Sequence, residues 1–211
     1  MYSPVHFRES DPVVLRDYVR GLGAGELVTF GSAGLDSTFL PLLVSDDGMV
    51  LTGHLARANP QWKRADLSVP ALVTWRGPDA YVSPRYYPSK QVDPAVVPTW
   101  DYVSVQARGR LVVHDDPEWT RALVTALTDA HEDGAAQPWA VSDAPDAFVG
   151  GRVRAVVGVE VRVTSLEGSW KLSQNRSDGD VDGVVAGLSA HGPGSPEARV
   201  AGLVDARRRT G

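Results

Sequence analysis

The chain has 211 residues, enough for one large domain with a well-buried core. Its hydrophobic fraction of 43% and charged fraction of 22% are those of an ordinary globular protein and exclude general disorder. A net charge of −5 argues against a surface built to neutralise nucleic-acid phosphates, and zero cysteines exclude disulfides, thiolate metal sites, iron–sulfur clusters and a cysteine nucleophile.

The N-terminus, "MYSPVHFRESDP", lacks the basic flank and apolar core of a signal peptide, and no run is long and apolar enough for a membrane helix. The expected location is the cytoplasm. A metal would have to be held by histidine, by carboxylate or within a prosthetic group.

A first helix is predicted after Asp11, a good N-cap, with Pro12 at its first position. Its apolar stripe is Val14, Leu15, Tyr18 and Val19, and it ends at Gly21 and Gly23. The period then changes. "ELVTF", "TFLPLLV", "MVLTGHL", "ALVTW" and "AYVSP" read as short strands separated by Gly, Asp-Asp-Gly and Gly-Pro-Asp punctuation. "DYVSVQARGRLVVHD" reads as a longer strand in which Gly109 marks a bulge or bend.

Asp116 and Pro117 open a second helix whose Trp119, Leu123, Ala126 and Leu127 recur at helical spacing. A short third helix is expected over 144–153, followed by the alternating strand "AVVGVEVRVTSLEG". From Ser173 onward the sequence reads as short helices broken at "HGPGSP", and Arg207, Arg208 and Arg209 suit the last turn of a terminal helix. Many closely spaced strands with a few helices predict a small closed β-barrel with helical decoration, an α+β chain. A barrel of that size fills its own interior, so a large ligand belongs at the rim or at a subunit interface. The expected division is a cofactor-binding domain over 1–188 and a C-terminal tail over 189–211.

Three clusters carry chemistry. In "GHLARANPQWK", His54 is the strongest single-residue ligand candidate, because neutral imidazole is a common haem-iron ligand; a hydrogen-bonded histidine at a strand end is the plainer reading. Asn59 and Pro60 there predict a short helix whose N-terminus, with Arg57 and Lys63, suits an anion, although a capped turn with solvated basic residues looks the same. In the proline-rich loop "GPDAYVSPRYYPSKQVDPAVVPTWDYVSV", Tyr81, Tyr86, Tyr87 and Trp100 could wall a planar cofactor and Lys90 could reach its acidic substituents. In "EGSWKLSQNR", Lys171, Ser173, Gln174, Asn175 and Arg176 form either a second anion-holding terminus or a long capping loop. His6, His114, His131 and His191 show no zinc-ligand spacing. No P-loop, nucleophile elbow or dinucleotide glycine fingerprint is present.

Taken together, "GHLARANPQW", "GPDAYVSPRYYPSK…VPTWDYVSV" and "LEGSWKLSQNR…GVVAGL" resemble the signature blocks of the PaiB family. The blocks "MYSPVHF", "LPLLV" and "HDDPEWTRALVTALTDAHE…PWAV…DAP" extend the resemblance over nearly residues 1–188. The resemblance implies a flavin-reductase-like split β-barrel, a homodimer, and a cofactor at the subunit interface. The family is described as FMN-binding negative transcriptional regulators. One branch, the piperazate synthases, binds haem b and closes the N–N bond of piperazic acid from N5-hydroxyornithine.

Departures from the family pattern point to an altered ligand or reaction. Phe39 stands where the family tends to have histidine in "THLPLL", and Asp101 and Gln106 replace family residues after "VPTW". The synthase resemblance implies haem b on His54, with Arg57, Lys90, Lys171 and Arg176 pairing propionates or a substrate carboxylate, and Asp101 as the base that frees the α-amine. The rival is an FMN-binding regulator in which the groups after Asn59 hold the phosphate and His54 only hydrogen-bonds. A third is a flavin- or haem-dependent oxidoreductase of unknown substrate. A small amino-acid substrate is the expected partner, and nucleic acid only under the regulator reading.

Overall fold

The computed structural model describes residues 1–210, with side chains through Arg208. In chain order it contains β1 (Arg8–Glu9), α1 (Pro12–Leu22), β2 (Ala24–Gly31), β3 (Gly34–Val44), β4 (Val50–Ala56), α2 (Gln61–Arg64) and β5 (Ala71–Val82). Then follow β6 (Thr99–His114), α3 (Pro117–Glu132), α4 (Asp146–Arg154), β7 (Val156–Lys171), α5 (Asp178–Ser189) and α6 (Pro196–Thr210). No helix among the described residues is long and apolar enough to cross a membrane.

The strands form one antiparallel sheet of order β1-β7-β4-β3-β2-β5-β6, and a further β6–β7 pairing brings it back on itself. Six strands thus close a ring, the expected barrel, while β1 is an added strand on β7 through Arg8↔Ser169. The β2–β3–β4 meander is registered by Leu27↔Thr38 and Leu42↔Gly53, and β4 pairs β7 from Val50↔Arg162 to Ala56↔Val156.

Two compact units share this chain. One comprises residues 11–75 and 106–166; the other comprises 1–10, 76–105 and 167–211. The first holds β2, β3 and β4 with the adjoining parts of β5, β6 and β7. Leu27, Leu51, Leu55, Val73 and Ala107 alternate with less buried neighbours, as the two-residue period of a strand dictates, and with Val157 and Val159 form its interior. Gly109 is required by a close approach: a Cβ there would lie 2.2 Å from the Arg162 carbonyl oxygen on β7.

α1 follows its local signals. Asp11 Oδ1 accepts from the Val13 and Val14 amides, Pro12 opens the helix, and Gly23 closes it at φ 68°. α3 is capped likewise by Asp116. One strand boundary differs from expectation. Gly77-Pro78-Asp79 does not separate two strands, because β5 runs unbroken through it, and proline's fixed φ suits an extended chain wherever no ladder donor is needed.

In the second unit, α5 and α6 run 12 and 15 residues, longer than the short helices expected, because a shared apolar seam (Val184, Leu188, Val200, Val204) is fully buried. The terminal arginines are tied down by ion pairs. Arg207 meets Glu9 at 2.8 Å, and Arg208 meets Asp182 and Asp205, while the Arg209 side chain lies outside the described residues.

Candidate functional site

His54 sits near the end of β4, between Gly53 and Leu55, which are buried. The alternation of the strand turns the imidazole to the opposite side, where α3, α4 and the segment between them pack. It lines a cavity of about 230 Å³ with Val124 and Thr128 of α3, Trp139, and Phe148 and Arg152 of α4. A second recess of about 340 Å³ adjoins it and shares His54, Val124, Thr128 and Trp139.

The His54 Nδ1 atom is buried and has no hydrogen-bond partner among the described residues. An imidazole nitrogen left this way loses its hydration without compensation, which costs about 1–3 kcal/mol. Burial also pushes the imidazole pKa down, so the ring is neutral, the form that donates a lone pair to a metal. The mouth is apolar and uncovered: Trp139 is 48% and Phe148 54% exposed. With Nδ1 closed off, Nε2 is the ring nitrogen left to meet a ligand in the cavity, and a neutral imidazole in an apolar wall suits the donor set of a haem.

The other residues of "GHLARANPQWK" are engaged elsewhere in the same unit. Arg57 Nε donates to the Arg154 carbonyl at 2.7 Å and Nη2 to the Val156 carbonyl at 3.1 Å, and the guanidinium pairs with Asp115 at 2.7 Å. It staples the end of α4 to the start of β7 instead of standing free for a propionate. Asn59 Oδ1 accepts from the Gln61 amide, and its Nδ2 donates to Thr38. The helix that follows is a single turn of four residues, so the expected anion-holding terminus is not formed. Lys63 is exposed, with Nζ 4.8 Å from the Trp62 ring centroid.

The remaining candidates belong to the second unit, and several meet there. Asp101 is 0% exposed. Its Oδ2 accepts from Ser173 Oγ at 2.6 Å, and its Oδ1 lies 3.5 Å from Lys171 Nζ. Burial pushes the Asp101 pKa up, against the opposing pull of Ser173 and Lys171. Lys171 also donates to Thr99 Oγ1 and the Trp100 carbonyl. Gln174 bridges the Leu172 amide and the Trp170 carbonyl. The polar run after β7 therefore locks a chain reversal.

Arg176 lies over the buried Tyr87 ring at 4.4 Å. Tyr86 packs against α5, where a Cβ on Gly187 would come within 2.2 Å of its ring. Tyr81 and Trp100 make an edge-on pair at 6.1 Å with about half of each side chain exposed. Lys90 is exposed on the 3₁₀ turn Pro88–Gln91. Of the candidates, then, Asp101, Lys171 and Ser173 form one network and His54 a separate cavity.

Sequence reasoning missed Val124, Thr128, Trp139, Phe148 and Arg152. The one available signal was Phe148, an aromatic in a helix with little amphipathic character, here exposed.

Barrel and helices together define a split-barrel fold. The chain belongs to the family whose model is described as "Putative FMN-binding domain", matched over residues 1–165. It is 28% identical over 190 residues to the protease synthase and sporulation protein PAI 2 of Bacillus subtilis, covering 89% of each chain. Its fold resembles a conserved hypothetical protein of Mycobacterium tuberculosis (TM-score 0.58, 12% identity, 84% of this chain and 94% of that one). It also resembles the FAD and heme binding protein of Mycobacterium smegmatis (TM-score 0.57, 14% identity, 83% of this chain and 78% of that one).

Proposed function

We propose that this protein is a haem-dependent enzyme of the piperazate synthase type, with His54 as the axial ligand of haem b. The observation that carries the reading is the neutral His54 imidazole that lines the apolar cavity of α3 and α4, its Nδ1 buried and unpartnered. Valines and aromatics there would take the faces of a macrocycle. A bound haem would supply Lewis-acid activation of an N–O bond.

The reaction is balanced without an outside oxidant or reductant. In N5-hydroxyornithine the α-nitrogen forms a bond to the terminal nitrogen, the N–O bond breaks, and the hydroxyl leaves as water with the proton shed by the amine. The protein's part is to orient the folded substrate, exclude bulk water and accept that proton. Asp101, the expected base, has the raised basicity the task asks for, but it is 0% exposed and both oxygens are engaged. In this geometry it positions Lys171 and Ser173, and acting as a base would require it to release one of them.

The second reading is an FMN-binding protein, which the family description favours. A flavin phosphate calls for several convergent donors, and the His54 cavity offers one guanidinium and one hydroxyl, from Arg152 and Thr128. The absorption spectrum of protein expressed with haem supplied separates the readings. A Soret band that is lost in His54→Ala and shifts on adding N5-hydroxyornithine is the expected result. A two-banded flavin spectrum, or a Soret band indifferent to His54→Ala, overturns the haem assignment.

A further inference from the structure

Arg152 stands out among the cavity residues as a cation with no carboxylate partner among the described residues. Every other lining group near it is apolar or neutral: Val124, Thr128, Trp139, Phe148 and the uncharged His54. Its guanidinium lies 4.9 Å from the Phe148 ring centroid and has no carboxylate partner among the described residues. Three neighbouring arginines differ, although Arg154 on the same helix, outside the cavity lining, also has no ion pair among the described residues. Arg57 pairs with Asp115, Arg121 with Asp146 and Arg162 with Glu160.

A guanidinium this close to an aromatic ring is held by cation–π attraction while its N–H donors stay free to recognise a carboxylate. The cavity thus has a neutral imidazole on β4, apolar walls on α3 and α4, and on α4 one cation with no carboxylate partner. A ligand complementary to it has a metal centre, a flat apolar body and an acidic substituent at its edge.

We propose that Arg152 pairs with a peripheral carboxylate of the prosthetic group that His54 ligates, and so fixes that group's rotation within the cavity. This rests on the haem reading. The carboxylate belongs to the cofactor, not to the substrate. Arg152 is exposed, so substituting it leaves the apolar packing of α4 through Val149 and Val153 in place.

The test uses the full chain and two probes, hemin and hemin dimethyl ester, which differ only in their carboxylates. Binding is followed by the Soret band and by quenching of tryptophan fluorescence, with no turnover required. The wild-type protein is expected to bind hemin about tenfold more tightly than the ester, the worth of a hydrogen bond to a charged group. Arg152→Gln should bind both probes equally, at the ester's affinity, and Arg152→Lys should recover part of the preference. Equal preference in wild type and Arg152→Gln overturns the assignment while leaving His54 as ligand. Hemin binding that survives His54→Ala overturns the haem reading itself, and the role of Arg152 with it.

Discussion

Ser173 holds Asp101 from a backbone conformation that serine seldom adopts. Its φ is 63°, in the left-handed region, and its hydroxyl donates to Asp101 Oδ2 at 2.6 Å. Left-handed backbone costs a non-glycine residue about 1–2 kcal/mol, while a hydrogen bond to a buried carboxylate contributes about 1.5–3 kcal/mol. The bond outweighs the strain, which is why serine, and not glycine, stands at the position. Ser173→Ala keeps the strain and loses the bond, so it should destabilise by about 2 kcal/mol or more. Ser173→Gly loses the bond but relieves the strain and should cost less. Urea unfolding of both variants checks the order, and glycine proving the worse substitution would contradict it.

The buried Asp101 carboxyl gives the protein an unusual pH signature. Its folded pKa is raised by burial above the ordinary carboxylate value. Below the unfolded pKa the group is protonated in both states. As the pH climbs, the unfolded chain ionises first, so the native state binds more protons and loses stability until the folded pKa is passed. Relative to Asp101→Asn, the wild type should therefore lose stability from about pH 4 upward and level off above the folded pKa. Carboxylates common to both proteins, Asp180 and Glu160 among them, cancel in the difference. Unfolding free energies of the two proteins across that range test it, and a pH-independent difference would show that Asp101 titrates ordinarily.

Tyr86 and α5 meet at two glycines that behave differently. A Cβ on Gly183 would lie 1.9 Å from the Tyr86 carbonyl oxygen, and one on Gly187 would lie 2.2 Å from its ring. Both alanine substitutions should destabilise by about 1–3 kcal/mol. Removing the ring with Tyr86→Ala should rescue much of Gly187→Ala and none of Gly183→Ala, since the second clash is with backbone. A double-mutant cycle measured by thermal unfolding distinguishes the two.

Arg57 is predicted to matter for folding and not for cofactor binding. Arg57→Met removes donors to the Arg154 and Val156 carbonyls and the ion pair with Asp115. A measurable loss of stability is expected, with hemin affinity changed less than about twofold. A large loss of hemin affinity in a fully folded Arg57→Met protein would return Arg57 to the cofactor's surroundings.

Parts of this molecule are written in local signals and are legible for that reason. Asp11 and Pro12 start α1, Gly23 ends it, and the two-residue alternation around Leu51, Gly53 and Leu55 announces β4. His54 stands out because a ring with coordinating ability takes one of the outward positions of that alternation. What could not be read depends on which distant segments meet. Val124 and Thr128 look like any helical stripe until α3 is laid beside β4, and Arg152 looks like a solvated end-of-helix cation until the apolar wall around it is seen. Arg57 is the converse case. Its neighbours His54 and Asn59 suggested a ligand site, but its true partners are the Arg154 and Val156 carbonyls nearly a hundred residues on.

The family match ends at residue 165, and the compact unit that carries the His54 cavity ends at residue 166. The whole cavity wall thus lies within the matched stretch, whereas Asp101 lies within it and both its partners, Lys171 and Ser173, lie beyond. An inherited change at 101 alone would take the acceptor from the left-handed Ser173 hydroxyl, and a change at 171 or 173 alone would remove one of the two groups that offset a buried carboxylate. Descent should therefore move these three positions as a set, while the lining of the histidine cavity drifts or holds on its own schedule.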